Sequence, residues 1–414
     1  DAFFEYVFRG KGDPAAVARS IGAPVSVVRG LRREFTYWYP LDLRHTGKGL
    51  VQNHMTFCVF SHVALFPEAQ WPRGFGIIGH LAMGGTKMSK SKGNVWFLWD
   101  AIKAYSADLV RLGLANAGDG LDDPSFDTDF VESMAGRLQD WYHFATSRHR
   151  TRTKKLPIDV WFPSVMNRAI AETRTAMEMM TYKAALRHGY FDLQSAWSRY
   201  SRRSNGVPHA TILRRFIEVQ TKILAPFAPH FAEEVWSRIR RRGFISAAPF
   251  PQAKKAEIND RAEAAERNLH AVMTDVREIL KVTELRPKRI FLYAAPAWKR
   301  RVYARLASMA STGLLDVGAA MKVLFAEAKL RERGRDVQDF VKKAVPELTR
   351  LSPEDTKIRS APFDEGPYLA SAAGFLGTEF RSTVTVLDAE AKDLHDPRGR
   401  ARTAMPWRPA IYVE

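Results

Sequence analysis

Apolar positions recur at two different spacings along these 414 residues, and the change from one to the other divides the chain. Leu98, Ile102, Tyr105, Leu109 and Leu112 follow one another at four, three, four and three residues, which predicts one face of a helix from about Val95 to Asn116. The run Phe75-Gly76-Ile77-Ile78-Gly79-His80-Leu81 before it reads as a strand. Leu50 to Phe66 reads as a helix, with Val51, Phe57 or Cys58, Ala64 and Leu65 among its apolar positions. Phe35-Thr36-Tyr37-Trp38-Tyr39-Pro40 has the composition of a strand ended by proline. Residues 1–34 form a short helical segment around Pro14, Val17 and Val25 to Leu31, with no chemistry of their own. The resulting β-α-β-α order predicts a parallel sheet with ligand loops at the carboxyl ends of its strands, at 41–54 and 82–94.

From about 130 to 285 the spacing is helical throughout. Met166, Ile170, Thr173, Met177 and Met180 form one stripe; Ile212, Phe216, Val219 and Ile223 form another, flanked by Leu213, Ile217 and Leu224. Such stripes are the core of a helix bundle, with methionine as packing filler. Leu224-Ala225-Pro226-Phe227-Ala228-Pro229-His230 breaks the pattern before Phe231, Val235, Trp236 and Ile239 resume it. His230 has no partner at metal-ligand spacing, so a helix-start or packing role is expected. Near Pro287 the composition changes. Arg289 to Ala294 reads as a strand, Trp298 to Leu306 as a basic helix, then two or three short helices to Thr349 and a β-leaning Thr383 to Leu387. Residues 287–414 therefore read as a small α/β module.

With 46% hydrophobic and 26% charged residues the chain is globular, and no apolar run is long enough to cross a bilayer. The N-terminal Asp1-Ala2-Phe3-Phe4-Glu5-Tyr6 has no initiator Met, basic n-region or apolar h-region, so no secretory signal is read and a fragment or processed piece is expected. Cys58 is the single cysteine, which excludes an intrachain disulfide and a Cys-rich zinc site and fits a reducing cytoplasm. No metal held by the protein is expected. The net charge of +18 and pI of about 10 change the picture more, because so large an excess calls for a polyanionic partner. The basic residues cluster at 148–155, 199–203, 238–242, 286–289, 299–301 and 398–402.

One stretch carries the sharpest chemistry: Gly84-Gly85-Thr86-Lys87-Met88-Ser89-Lys90-Ser91-Lys92-Gly93-Asn94. A strand, a glycine turn, a lysine-rich loop and a helix start make a phosphate site, since glycines admit close backbone approach and the helix N-terminus offers free N–H groups. Lys-Met-Ser-Lys-Ser in that context resembles the signature loop of class I aminoacyl-tRNA synthetases. Tyr37 to Arg44, then Gly47-Lys48 and Gln52-Asn53-His54, resembles the leucyl-tRNA synthetases of archaeal and eukaryotic cytosolic type. So do Ala107 to Leu112, Ala115 to Asp119, Leu121-Asp122-Asp123 with Phe126, the Ala-Pro-Phe-Ala-Pro-His segment, and the closing Pro-Ala-Ile-Tyr-Val-Glu.

That resemblance implies a fold and a set of roles. The fold is the α/β second half of a Rossmann-type nucleotide-binding domain at 35–129, following a helical connection at 1–34. An all-α anticodon-binding helix bundle at 130–286 and a C-terminal tRNA-binding module at 287–414 complete it. Lys90, with Lys87 as its partner, would neutralise charge on the pyrophosphate side of ATP. Ser89 and Ser91 would donate hydrogen bonds, Met88 would pack near the adenine, and Gly47, Lys48 and His54 would lie beside the nucleotide. The family carries an acidic residue where this chain has Gly49, and glycine cannot accept from a ribose hydroxyl. Mg²⁺ would arrive on the triphosphate. Arg398, Arg400, Arg402, Arg408, Ile411 and Glu414 would face the long variable arm of a leucine tRNA. The His-Ile-Gly-His helix start of the family has no counterpart here, because Ile78-Gly79-His80 lies within a strand pattern directly before the lysine loop. The implied function is therefore ATP-dependent leucyl-adenylate formation and transfer to tRNA, incomplete unless a separate N-terminal half is supplied. The alternative is a non-catalytic tRNA-binding paralogue.

Overall fold

The computed structural model describes residues 1–83 and 95–414, together with the backbone of Thr86 and Lys87. The chain begins with three helices, α1 (Ala2–Arg9), α2 (Pro14–Ile21) and α3 (Val25–Trp38). Asp13 caps α2 by accepting from the Ala15 and Ala16 amides, with Pro14 at the first helical position. The strand expected at 35–40 is instead the last turns of α3 and its exit. The aromatic ring of Phe35 packs against Phe8, Tyr39 and Phe66 at centroid distances of 5.0, 4.6 and 5.8 Å, while Tyr37 is 77% exposed. A pleat would set Tyr37 beside residues 35 and 39; helical turning separates them.

Strand β1 (Arg44–Gly47) then pairs in parallel with β2 (Phe75–Ile78), Arg44 opposite Phe75 and Gly47 opposite Ile78. Between them the expected helix is present, but its first turns are wound as a tight turn at Lys48–Leu50 and a wide one at Val51–Met55 before α4 (Thr56–Leu65). The second strand stops at Ile78, short of the expected Leu81. At Gly79 the backbone passes against residue 122 so closely that an added Cβ would lie 2.1 Å from the Asp122 carbonyl oxygen. The chain restarts as β3 (Ala82–Met83), antiparallel to β4 (Thr86–Lys87) and parallel to β5 (Ser125–Phe126). The helix expected from 95 to 116 is two helices, α5 (Leu98–Tyr105) and α6 (Ala107–Ala117), split where Ser106 takes a φ of 85°.

Helices follow: α7 (Thr128–Thr146), α8 (Ile158–Glu178), α9 (Tyr182–Leu186), α10 (Leu193–Arg203), α11 (Ala210–Leu224), α12 (Pro229–Arg238) and α13 (Asp260–Thr283). Met166, Ile170, Thr173, Ile212, Phe216, Val219 and Ile223 are buried, as the stripes predict. Phe216 stacks on Trp197 at 4.4 Å and meets Phe162 edge-on at 5.5 Å. One buried ion pair braces this region. Asp159 accepts from both terminal nitrogens of Arg152, from the Leu156 amide and from the Tyr200 hydroxyl, each at 2.7 Å.

The last segment comprises β6 (Arg289–Ala294), α14 (Ala297–Ser311), α15 (Val317–Leu324), α16 (Ala328–Arg331), α17 (Gly334–Leu348), α18 (Pro353–Arg359), α19 (Glu365–Phe380), β7 (Thr383–Asp388) and β8 (Ala410–Val413). The sheet order is β7-β6-β8, with β7 parallel and β8 antiparallel to the central strand. Alternation along β6 serves two cores. Ile290 and Leu292 join Leu269, Val272, Leu369 and Leu376, while Phe291 and Tyr293 join Ala401, Ala404 and Ala410. The chain divides into two compact units: Asp1–Thr146 with Glu172–Gly189 and Thr221–Ala248, and Ser147–Ala171 with Tyr190–Gln220 and Pro249–Glu414.

Candidate functional site

The carboxyl ends of β1 and β2 lie side by side, Gly47 opposite Ile78. Gly47 closes β1, and Lys48 follows at once. The Lys48 ammonium is engaged: it donates to the Leu121 carbonyl at 3.1 Å and pairs with Asp123 at 2.8 Å. Asp123 also accepts from the His80 amide at 2.7 Å, and Lys48 together with that N–H holds its carboxyl below the usual carboxylate range. Lys48 thus staples the exit of β1 to the loop before β5. His54 lies in the wide turn and its Nε2 meets the Arg44 guanidinium. Gly49 faces the His80 imidazole, where an added Cβ would come within 2.8 Å of a ring carbon.

Of the lysine loop, Met88, Ser89, Lys90 and Ser91 lie outside the described residues, and Lys87 is described only as backbone of β4, one strand of the small sheet beside this edge. A cleft of about 640 Å³ lies next to the ends of β1 and β2, lined by His45, Ile78, Gly79, Leu81, Arg111 and Tyr182 among others. Its one guanidinium is committed, since Arg111 donates to the carbonyls of Pro226 at 2.6 Å and Phe227 at 3.2 Å.

Three carboxylates hold this unit together, and none was singled out from the sequence for that role. Asp108, at the start of α6, accepts from the Phe231 amide at 2.6 Å and pairs with His230 Nδ1 at 2.9 Å, so it caps α12 from a distant part of the chain. His230 is thereby a helix-start residue, its ring 80% exposed and oriented by Asp108. Asp119 accepts from the Lys183 and Ala184 amides at 3.0 and 3.1 Å, and Asp123 from His80. All three lie in stretches whose resemblance was noted above, and their work here is to satisfy orphan helix and loop amides. Among the described residues, no group of three or more His, Cys, Asp or Glu side chains could hold a metal ion. No described helix is long and apolar enough to cross a membrane.

The second candidate surface is the end of the chain. Asp396 accepts from the Arg400 and Ala401 amides at 2.7 and 2.8 Å and so shapes the loop that carries Arg398, Arg400 and Arg402. These three arginines and Arg408 are exposed, and no ion pair to a carboxylate is found for any of them among the described residues. Ile411 and Glu414 differ. Ile411 packs toward the core around Leu269, and the Glu414 carboxylate pairs with Arg289 and, at 3.3 Å, with His395. The tail is an edge strand as well as a candidate contact surface. Its arginines are available to a polyanion, and its last glutamate is already paired with Arg289 and His395.

Comparison with known proteins bears on both surfaces. A family described as "tRNA synthetases class I (M)" matches residues 28–149, and one described as "Anticodon-binding domain of tRNA ligase" matches residues 159–292. A leucine–tRNA ligase of Aeropyrum pernix is 39% identical over 99% of this chain and 42% of its own length. One of Methanosarcina barkeri is 34% identical over 100% of this chain and 43% of its own. A solved ternary complex of an Agrobacterium radiobacter LeuRS with tRNA and LeuAMS overlaps 53% of this chain and 29% of its own at 18% identity and a TM-score of 0.45, too loose a likeness to carry an argument. The chain spans about two fifths of the length of the curated relatives it matches. Along its whole length the chain is similar to the leucine–tRNA ligases, and it matches a part of their length.

Proposed function

We propose that this chain supplies three parts of a leucine–tRNA ligase: the second half of the Rossmann-type ATP site at 35–129, an anticodon-binding bundle at 130–286 and a C-terminal tRNA-binding module at 287–414. The observation that carries the reading is the match to leucine–tRNA ligases from end to end, which two family matches of different kinds support. The chemistry is in-line attack of the leucine carboxylate on the α-phosphate of ATP, with pyrophosphate leaving. A protein assists by holding the reactants and neutralising charge on the phosphoryl oxygens. The parallel ends of β1 and β2 suit a nucleotide. With Lys48 held by Asp123, the cations assigned to that task are Lys87 and Lys90. Any Mg²⁺ would enter with ATP, and the carboxylates described here are committed to amides and cations.

A partner is part of the reading. The helix α4 has no buried residue, and Phe57 and Phe60 are 69% and 66% exposed. An apolar helix beside a two-stranded parallel sheet suits a complementary catalytic half, which we propose as the N-terminal portion of a synthetase.

Two measurements test this. Leucine-dependent ATP–pyrophosphate exchange should be absent with the 414-residue chain and appear when an N-terminal half is added; exchange by the chain alone would defeat the reading. Filter binding at two salt concentrations should show salt-sensitive binding that prefers a long-armed leucine tRNA over a short-armed one. Deleting 403–414 should remove much of the preference and leave a non-specific basic component, since phosphate contacts position without specifying. Equal affinity for both tRNAs by the intact chain would remove the tail from recognition.

A further inference from the structure

Among the described residues, the most deeply buried carboxylate with no ion pair to a cation lies where β8 docks. Glu365, at the first position of α19, is 1% exposed. Its two oxygens serve two elements. Oε1 accepts from the Ala295 amide at 3.0 Å, in the turn that leaves β6, and Oε2 accepts from the Trp407 amide at 2.6 Å, in the turn that enters β8. Trp407 has a φ of 68°, and its ring stacks on Phe363 at 4.5 Å. Its amide lies inside the tight Met405–Arg408 turn, which pairs only the backbones of residues 405 and 408. The antiparallel pairing of β6 with β8 ends at Tyr293 opposite Ala410, and the carboxylate joins the two chains just beyond that end.

We propose that Glu365 is the positioning residue of the C-terminal strand, a buried clamp that fixes where β8 and Arg408 are presented to tRNA. This rests on the reading of the tail given above. The physical reason is donor and acceptor matching. Two N–H groups from segments more than a hundred residues apart converge on one side chain, and a carboxylate offers an acceptor to each. Burial makes the arrangement demanding, because an amide left facing the site with no acceptor pays its desolvation in full. Burial also pushes the Glu365 carboxyl up to about 7, against the pull of the two amides and Arg300, while Asp364 adds to the rise. Arg300 is itself turned to the Ala295 carbonyl and to Asp364, at 2.9 and 2.8 Å, so it flanks the clamp without replacing it. Other ties to this segment hold carbonyls further back, as the Lys299 ammonium does at Arg402 and Ala404, at 2.8 and 2.9 Å. Glu365 grips the backbone of the last turn before the strand, while the Phe363 ring and the Arg359 guanidinium hold only its Trp407 ring.

The test is amide exchange in the free 414-residue chain, combined with tRNA binding. Glu365→Gln keeps the shape but turns an N–H₂ donor toward one of the two amides. It should lower protection of residues 407 and 410–413 by about tenfold while leaving the β7 amides unchanged. The long-arm preference should fall, and the salt-sensitive, non-specific affinity should stay. In a chain cut after residue 402 the same substitution should have no effect on tRNA preference, because the clamp then has nothing to hold. Unchanged protection at 407–413, or a preference loss that persists in the truncated chain, would overturn the proposal. If Glu365→Gln does not fold, the wild-type chain still decides: the Trp407 amide should exchange as slowly as the amides of β8, and fast exchange there would refute the clamp. Should the intact chain show no long-arm preference, the tRNA reading fails, but the exchange data still judge the clamp.

Discussion

Two short parallel strand pairs in this molecule have opposite surroundings. In the β6–β7 pair, five of the six residues of β6 are buried, Ile290 and Leu292 in one core and Phe291 and Tyr293 in another. In the β1–β2 pair only Gly76 is buried, and the connecting helix α4 exposes Phe57 and Phe60. The strands of the first pair are the more apolar, yet the connecting helix of the second, α4, is itself strongly apolar. The pairs differ in what the described residues pack on them. A strand with a core on each face is held by its own chain, whereas an apolar helix with none is stabilised only when something covers it. The first arrangement marks a strand pair supported by its own chain; the second leaves an apolar helix that the described residues do not cover.

The strongest way to break that contrast is to attack a brace within the better-packed unit. Asp159 lies where burial alone would raise its carboxyl. Arg152, the Leu156 amide and the Tyr200 hydroxyl outweigh that and hold it below the ordinary range. Asp159→Asn leaves a guanidinium with no anion and should cost about 3 kcal/mol. The shift also sets a sign. A depressed carboxyl contributes stability above its unfolded value and loses it as pH falls through the folded one, so acid should erase the difference between wild type and variant. Urea unfolding at two pH values checks this; a difference under about 1 kcal/mol at neutral pH would mean the pair is a bystander.

On the other side of the contrast, Lys90→Ala tests whether the nucleotide edge works as a site. With an N-terminal half supplied, removing one charge that acts mainly in the transition state should slow exchange about a hundredfold. Leucine binding should be nearly unchanged. An undiminished rate would make the loop structural.

The contrast also explains what could be read in advance. Met166, Ile170, Ile212 and Phe216 were legible because helical spacing and burial agree, and the Arg289–Ala294 strand because its neighbours supply both its faces. Phe35 to Tyr39 misled, since aromatic and β-branched residues suit a pleat as well as a helix, and the choice was made by Phe8 and Phe66, far along the chain. The ends of β2 and of α5 were illegible for a related reason. Gly79 stops its strand because Asp122 passes over it, and Ser106 breaks the helix with a backbone that no spacing announces. The lysine-rich run at 84–94 stands out as a motif whose chemistry is proposed, but the commitment of Lys48 to Asp123 was not readable, because pairing across 75 residues leaves no local trace.

Asp108 is a smaller lever on the same question. It joins α6 to the start of α12 by one carboxylate, and the sequence shows an ordinary aspartate in a helix. Asp108→Ala should cost about 1 kcal/mol, the usual loss on removing a cap, and Asp108→Asn less, since an amide oxygen still accepts. Thermal unfolding followed with both variants would separate the cap from the His230 contact; equal losses would show that charge, and not acceptance, is what α12 requires.

The smallest expected effect is at Gly49, and it sharpens the contrast most finely. Two glycines at this edge are crowded, but by different things. A Cβ at Gly79 would strike the Asp122 carbonyl, which belongs to backbone fixed by β5 and cannot give way. A Cβ at Gly49 would meet only the His80 imidazole, at 2.8 and 3.3 Å, and a ring on a rotatable bond can turn aside. Gly49 has no left-handed φ to protect, so alanine also gains by restricting the unfolded chain. The two terms oppose each other at a few tenths of a kcal/mol each, and Gly49→Ala should leave the unfolding midpoint of its unit within about 0.5 kcal/mol of wild type. A loss of about 2 kcal/mol or more would show that His80 is locked in place by more than its ring contacts. The edge around β1 and β2 would then be as tightly built as the terminal sheet, and the difference between the two regions would lie in their partners alone.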